Sequence, residues 1–116
     1  IQIDAQPTNV TVNQGQTASF TVDASFIVSA DGSVGTTALN YQWQRKQYGE
    51  TNWVNITGQT NAIYSSNAAV QADDGDEFRV AITAAGAQPT YSNSVILTVQ
   101  TGATIISGFT PTQIFQ

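Results

Sequence analysis

Short runs of strictly alternating apolar and polar residues constrain this chain more than any other feature. The run Tyr41-Gln42-Trp43-Gln44 places two aromatic rings on one face of a strand and two amides on the other. The same period of two recurs in residues 18–24, 78–82 and 95–99, and clusters of Gly, Asn and Asp separate the runs. No segment shows the periodicity of an amphipathic helix. The sequence therefore predicts an all-β domain.

Length and charge narrow the class of protein further. The chain has 116 residues, which suits one domain whose single core holds without a metal or a disulfide. Three Lys and Arg residues stand against eight Asp and Glu residues, giving a formal net charge of −5. Nucleic acids and anionic lipid surfaces need clustered basic residues. No apolar run is long enough for a membrane helix. We therefore expect neither nucleic acid as a partner nor membrane insertion.

We expect at least seven strands, defined by the apolar residues of each run. They contain, in chain order, Val10 and Val12; Ala18, Phe20, Val22 and Ala24; Tyr41 and Trp43; Trp53, Val54 and Ile56; Ile63 and Tyr64; Phe78, Val80 and Ile82; and Val95, Leu97 and Val99.

Five motifs in a fixed order resemble the bacterial and phage version of the immunoglobulin-like (I-set-like) domain. They are Gln6-Pro7, Gly15 to Phe20, Tyr41 to Gln44, Asp73 to Asp76, and Asn93 to Val99. The resemblance implies an immunoglobulin-like Greek-key β-sandwich of about seven to nine antiparallel strands without a disulfide. It covers about residues 5 to 100. We expect residues 1–100 to form one domain and residues 101–116 to be a C-terminal arm, a linker or the entry strand of a following repeat.

The resemblance also implies a core. Val22 and Val80 stand where antibody domains carry the disulfide between strands B and F, and Trp43 stands at the core position of strand C. Phe78 replaces the tyrosine of the corner before strand F, so it fills space without donating a hydrogen bond. We therefore expect Val22, Trp43, Phe78 and Val80 in the core, and Asp73 or Asp74 in the polar contacts of the corner.

The residue types argue against catalysis. The sequence contains no His and no Cys, so the usual general base, the usual zinc ligand and a thiol nucleophile are missing. We expect no enzyme activity and no cofactor. Asp73, Asp74 and Asp76 have two interpretations: they satisfy backbone amides at the corner, or they bring enough oxygens together for a calcium ion.

Two aromatic residues are candidates for stacking on a sugar ring. Trp53 follows a predicted turn, and it either packs on the sheet or presents an exposed ring. Tyr91 falls in the predicted loop between strands F and G, from Ala85 to Asn93.

The predicted loops suggest a second candidate surface. The segment from Phe26 to Asn40 predicts an extended hairpin between strands B and C, at the same end of the sandwich as the loop between F and G. A polar patch there would contain Asp31, Ser33, Thr36, Thr37, Gln88 and Tyr91. The alternative is that these loops are simply solvated.

Residues 101–116 are too apolar for an ordinary linker, since they contain two Phe and three Ile residues. Pro111-Thr112-Gln113-Ile114 is similar to Pro7-Thr8-Asn9-Val10, a short match that would fit the entry strand of a following repeat. The alternative is an arm that docks on a neighbouring subunit or on its own sandwich. Because the sequence starts at Ile1, we also expect it to come from a longer precursor or parent chain.

The resemblance implies a structural and adhesive module on the outside of a phage virion, in a capsid or tail decoration, that holds host-surface glycans weakly. The alternative is a spacer or carbohydrate-binding repeat of a secreted or surface-anchored bacterial protein. The expected location is accordingly the virion surface or the bacterial cell surface, and the expected partners are neighbouring subunits, contacted through residues 101–116, and glycans.

Overall fold

The computed structural model describes residues 1–26 and 38–101. Ten strands lie in these residues: Gln2–Ala5 (β1), Val10–Asn13 (β2), Ser19–Thr21 (β3), Asp23–Ser25 (β4), Asn40–Lys46 (β5), Val54–Asn55 (β6), Ile63–Ser65 (β7), Glu77–Thr83 (β8), Thr90–Tyr91 (β9) and Val95–Gln100 (β10). A short 3-10 helix, Gln71–Asp73, precedes β8. No helix in the described part of the chain is long and apolar enough to cross a membrane.

The strands form two layers. The first is a six-stranded sheet in the order β2-β10-β8-β5-β6, with β9 also paired to β8. The second consists of the pairs β1-β4 and β3-β7. These two pairs are continuous along the chain, because only Val22 separates β3 from β4. This is the sandwich that the alternating sequence predicts.

The core lies between the layers and is built around four aromatic rings. Phe20 and Phe78 approach each other from opposite layers, with ring centres 5.0 Å apart. Trp43 is fully buried, and its indole N–H donates to the carbonyl oxygen of Asn61 at 2.7 Å. That hydrogen bond removes the penalty of burying the indole nitrogen, which is why a tryptophan can occupy the centre.

The predicted core residues lie in this cluster. Val22, Trp43, Phe78 and Val80 are all buried. The two valines replace a disulfide with apolar contacts, and burying each side chain contributes about 1.5–3 kcal/mol. Val22 itself lies between two strands, and its amide donates to the carbonyl of Ala62 at 3.0 Å. The single predicted strand B is therefore two short strands.

The polar contacts of the corner before β8 come from three aspartates. Asp73 accepts from the amide of Val70 at 3.0 Å, and Asp74 accepts from the amide of Val99 at 2.8 Å. Asp76 accepts from the amide of Tyr48 at 2.9 Å. The sequence predicts polar contacts from Asp73 or Asp74. Both residues, and also Asp76, bind backbone amides at this corner. Gly75 turns the chain here with a φ of +88°, a conformation that favours glycine.

The ends of the sandwich differ from the predicted strands. β1 was not predicted, because Gln2–Ala5 has a single large apolar residue, Ile3. β2 pairs with β10 in parallel, whereas the other strand pairs of the six-stranded sheet are antiparallel. The chain thus changes sheets between β1 and β2, and the buried Pro7 lies at this crossing.

The last predicted strand is longer than expected and interrupted. β9 pairs with β8 before β10 does, so Tyr91 lies in a strand and its placement in a loop was wrong. Ser92 lies between β9 and β10. Its buried hydroxyl accepts a hydrogen bond from the amide of Val80 at 2.9 Å, in place of a backbone carbonyl of a neighbouring strand. The predicted hairpin between strands B and C lies largely outside the described residues.

Candidate functional site

The outer face of the six-stranded sheet carries the most distinctive group of side chains. Phe78, Val80 and Ile82 of β8 are buried, so the alternating residues between them point outward. Arg79 is one of these outward residues, and it lies opposite Gln44 of β5. Tyr91 lies opposite Ala81, one outward position further along β8. Strand register therefore brings Arg79 and Tyr91 together.

Arg79 contacts two aromatic rings. Its guanidinium carbon lies over the Trp53 ring, 4.5 Å from the ring centre, and over the Tyr91 ring, 4.3 Å from that centre. A cation over an aromatic face is attracted by about 0.5–1 kcal/mol at exposed sites. We call Trp53, Arg79 and Tyr91 the Arg79 platform. Tyr91 is 50% exposed and Trp53 is partly buried, so the platform is reachable from solvent.

A line of amides holds the arginine in place. The Nε–H of Arg79 donates to Oε1 of Gln44 at 2.7 Å. The Gln44 amide nitrogen donates in turn to Oδ1 of Asn55 at 2.9 Å. These three residues come from the adjacent strands β8, β5 and β6. The guanidinium is thus fixed by two rings and one hydrogen bond, on a rigid sheet rather than on a loop.

The three basic residues of the chain have different electrostatic surroundings. Arg45 binds Asp73 and Asp76 at the corner, with Nε donating to Asp76 at 2.8 Å. Lys46 lies 3.5 Å from the Glu77 carboxylate. Arg79 forms no ion pair with any residue in ranges 1–26 and 38–101. It is therefore the basic residue whose charge the described part of the chain leaves uncompensated.

The predicted glycan residues are partly brought together. Trp53 and Tyr91 were nominated separately, and both contact the same guanidinium. Trp53 combines the two predicted alternatives, because its ring packs on the sheet face and stays partly exposed. Gln88 is exposed in the turn between β8 and β9. Asp31, Ser33, Thr36 and Thr37 lie outside the described residues, so the loop patch stays a prediction.

The corner aspartates do not gather their oxygens into a metal site. Asp73, Asp74 and Asp76 each bind a different backbone amide, and two of them also bind Arg45. In the parts of the chain that the structure describes, no three acidic side chains are grouped so that they could hold a metal ion. The geometry favours the corner interpretation over the calcium interpretation.

A groove lies beside the short strand β6. It has a volume of about 540 Å³, and its walls include Arg45, Val54, Ile56 and Tyr64. Burial raises the pKa of Tyr64 above its ordinary value of 10.0; the nearby Asp73 and Asp76 also raise it, and Arg45 opposes them. Tyr64 is buried and stacks on Phe20, with ring centres 6.2 Å apart, so it belongs to the core.

Sequence reasoning missed Arg79, Gln44 and Asn55. Their signal was present in the alternation, since each is the outward neighbour of an inward residue. What was missing was the register, because only strand pairing places Gln44 opposite both Arg79 and Asn55. The platform joins Arg79 of β8 and Tyr91 of β9 to Trp53, which directly precedes β6, so the predicted strand containing Trp53, Val54 and Ile56 is reduced to Val54–Asn55.

Solved structures with the same architecture are immunoglobulin domains. A structure of Sidekick-1 immunoglobulin domains 1–5 matches with a TM-score of 0.56 and 17% identity, over 85% of this chain and 19% of that one. The Ig1-2 module of the Drosophila receptor protein tyrosine phosphatase DLAR matches with a TM-score of 0.57 and 14% identity, over 92% and 52%. A chimeric titin Z1Z2 carrying a decorin peptide gives 0.54 and 16%, over 86% and 93%.

These matches define the class: the chain is an immunoglobulin-like β-sandwich, as the sequence predicted. It spans only about a fifth of the Sidekick-1 structure and about half of the DLAR structure. At these identities the likeness concerns the fold alone. A search of curated proteins finds no match. Residues 5–101 match the model of a family described as a domain of unknown function (DUF8696), and the chain belongs to that family.

Proposed function

We propose that this chain is a non-enzymatic structural and adhesive module, displayed on the outside of a phage virion, that binds host-surface glycans weakly and reversibly. The Arg79 platform carries the adhesive part of the proposal. It presents two aromatic rings and several polar groups on a flat, rigid sheet face. Sugar rings have apolar faces that stack on such rings and hydroxyls that bind neighbouring amides, so the surface matches a saccharide chemically.

The virion part of the proposal draws support from composition and from the resemblance in the sequence. The chain lacks Cys, so it folds in a reducing cytoplasm without losing a disulfide. Only 9% of its residues are charged, so Thr, Ser, Asn and Gln cover much of its surface. Such a surface suits a particle that must stay dispersed and hold other surfaces only weakly.

Attachment to the particle is proposed to involve residues 101–116. These residues follow the sandwich, and they include two Phe and three Ile residues. Apolar area buried against a neighbouring subunit gives about 25 cal/mol per Å², so a segment of this composition can anchor a small domain. The neighbouring subunit is the proposed partner, and the glycan-binding face stays free.

A second candidate function is a spacer or carbohydrate-binding repeat of a secreted or surface-anchored bacterial protein. The parallel pairing of β2 with β10 favours it, because the chain enters β2 at one end of the sheet and leaves β10 at the other. Such an arrangement lets identical modules follow one another in a row. Intact mass of the native polypeptide separates the two: a mass near 12.3 kDa supports a free-standing decoration protein, and a several-fold larger mass supports the repeat.

Replacing Trp53 with Ala tests the adhesive function. We expect binding to an array of bacterial surface polysaccharides to weaken about tenfold, since the stacking surface is lost. Thermal stability should change little. The variant lacks mainly the contact between the Trp53 ring and the Arg79 guanidinium, which contributes about 0.5–1 kcal/mol.

Tyr48→Ala is the matched control, because its exposed ring lies against Gly75 at the corner. Glycan binding that survives Trp53→Ala would contradict the proposal. If Trp53→Ala lowered both glycan binding and thermal stability strongly, the role of Trp53 would be structural only.

A further inference from the structure

We infer that Arg79 makes the platform selective for carboxylated glycans, in particular polysaccharides that contain uronic acids. The inference rests on the proposed glycan binding and adds the chemical class of the ligand. A carboxylate accepts two parallel N–H bonds from a guanidinium, which is among the strongest polar contacts available to a protein surface.

The first observation is a surplus of hydrogen-bond donors. A guanidinium has five N–H groups. One of them, at Nε, donates to Gln44. No group in the described ranges, 1–26 and 38–101, accepts from the terminal nitrogens of Arg79. These donors are the ones that would meet a ligand carboxylate, and the two aromatic rings beside them would hold the sugar ring that bears it.

The second observation is electrostatic. The chain carries a net charge of −5, so most of its surface repels a polyanion. On the outer face of the sheet, Lys46 lies 3.5 Å from the Glu77 carboxylate, which compensates its charge, and its Nζ also lies over the Trp53 ring, 5.5 Å from the ring centre. Arg79 has no such partner in the described part of the chain. An anionic polymer is therefore attracted to one place on this face.

The third observation is that the guanidinium is held before a ligand arrives. The Trp53 and Tyr91 rings and the Gln44 amide restrain it from three directions. A long side chain normally loses conformational freedom when a ligand immobilises it, and this loss weakens binding. Here that freedom is already restricted in the unbound protein, which favours binding by a single arginine.

The experiment compares polymers that differ only in the carboxylate. Polygalacturonate, alginate and hyaluronan are each used beside their carboxyl-reduced forms, and poly-glutamate serves as a carboxylate on a polypeptide. Affinity electrophoresis measures binding of the native chain, of Arg79→Gln and of Arg79→Lys, with melting temperatures to verify folding. Thr21→Glu is the matched control, because it lowers the net charge as Arg79→Gln does, but from an exposed position of β3 in the other layer.

We expect at least one native uronic polymer to bind about tenfold more tightly than its carboxyl-reduced form, as the loss of a charge-assisted contact implies. Arg79→Gln should bring both forms to the same affinity, and Arg79→Lys should give an intermediate ratio, because a lysine keeps the charge without the planar fork. Thr21→Glu should leave the ratio within about twofold, since salt screens a charge on the other layer from a ligand on the platform.

Three results would overturn the inference, and they differ in what they say about the proposed function. Equal binding of the native and the reduced polymers would refute carboxylate selection but leave glycan binding intact. Poly-glutamate binding as tightly as the uronic polymers would refute a saccharide ligand. Binding of neither polymer form, together with no binding to neutral polysaccharides, would refute both proposals.

Discussion

Asp76 offers the sharpest test of how the corner before β8 holds the sandwich together. Its side chain is 1% exposed, and it accepts from Arg45 Nε at 2.8 Å and from the Tyr48 amide at 2.9 Å. Hydrogen bonds to charged groups contribute about 1.5–3 kcal/mol each. Arg45 is 33% exposed and keeps Asp73, so water and that carboxylate compensate part of the loss. We therefore expect Asp76→Ala to lower the free energy of unfolding by about 2–3 kcal/mol.

Asp76→Asn should cost about as much, because its amide oxygen still accepts from the Tyr48 amide but its amide nitrogen, itself a donor, then faces the Arg45 Nε–H. Urea denaturation followed by tryptophan fluorescence measures both variants, with the buried Trp43 as the reporter. For a domain of this size, a loss of 2–3 kcal/mol corresponds to a melting temperature about 8–12 °C lower.

Asp23→Ala is the control for this series, because Asp23 is exposed in β4 and its loss changes the net charge equally. We expect it to change the stability by less than about 0.5 kcal/mol. The reasoning would be refuted if Asp76→Ala cost less than about 1 kcal/mol. It would also be refuted if Arg45→Met and Asp76→Asn were strictly additive, because a coupled pair must show an interaction energy.

Two further predictions concern alkaline pH and residues 101–116. Burial raises the pKa of Tyr64 above 10.0, so its neutral ring stabilises the fold fully below pH 10, and this contribution is lost as the pH rises through the folded pKa. Tyr64→Phe should therefore flatten the loss of stability above pH 10 in denaturant titrations, and an unchanged slope would contradict this. Deleting residues 101–116 should leave the melting transition in place but abolish incorporation into the particle, and normal incorporation would exclude this segment as the anchor.

The inward residues of the long strands could be predicted because they depend on local periodicity. The predicted inward residues are buried, because an alternating strand can bury its apolar face in only one orientation. They include Phe20, Trp43, Phe78 and Val80. The two-residue strand β6 and the polar strand β1 gave weaker signals. Short or polar strands are defined by their partners rather than by their own residues.

The candidate site could be predicted only in part, and the reason is again physical. Trp53 and Tyr91 stood out as aromatic residues beside polar segments, which is a property of single positions. Arg79 did not, because its importance comes from two strand registers that no local pattern encodes. The parallel pairing of β2 with β10 was missed in the same way, since it joins residues separated by nearly the whole described chain.

That parallel pair has a mechanical consequence. If the domain is pulled by its two ends, the force runs along β2 in one direction and along β10 in the other. The hydrogen bonds between Val10–Asn13 and Leu97–Gln100 then carry the load in shear, so they must break together instead of opening one by one. Tension applied across the two ends of the fold is therefore resisted by four adjacent residue pairs acting together.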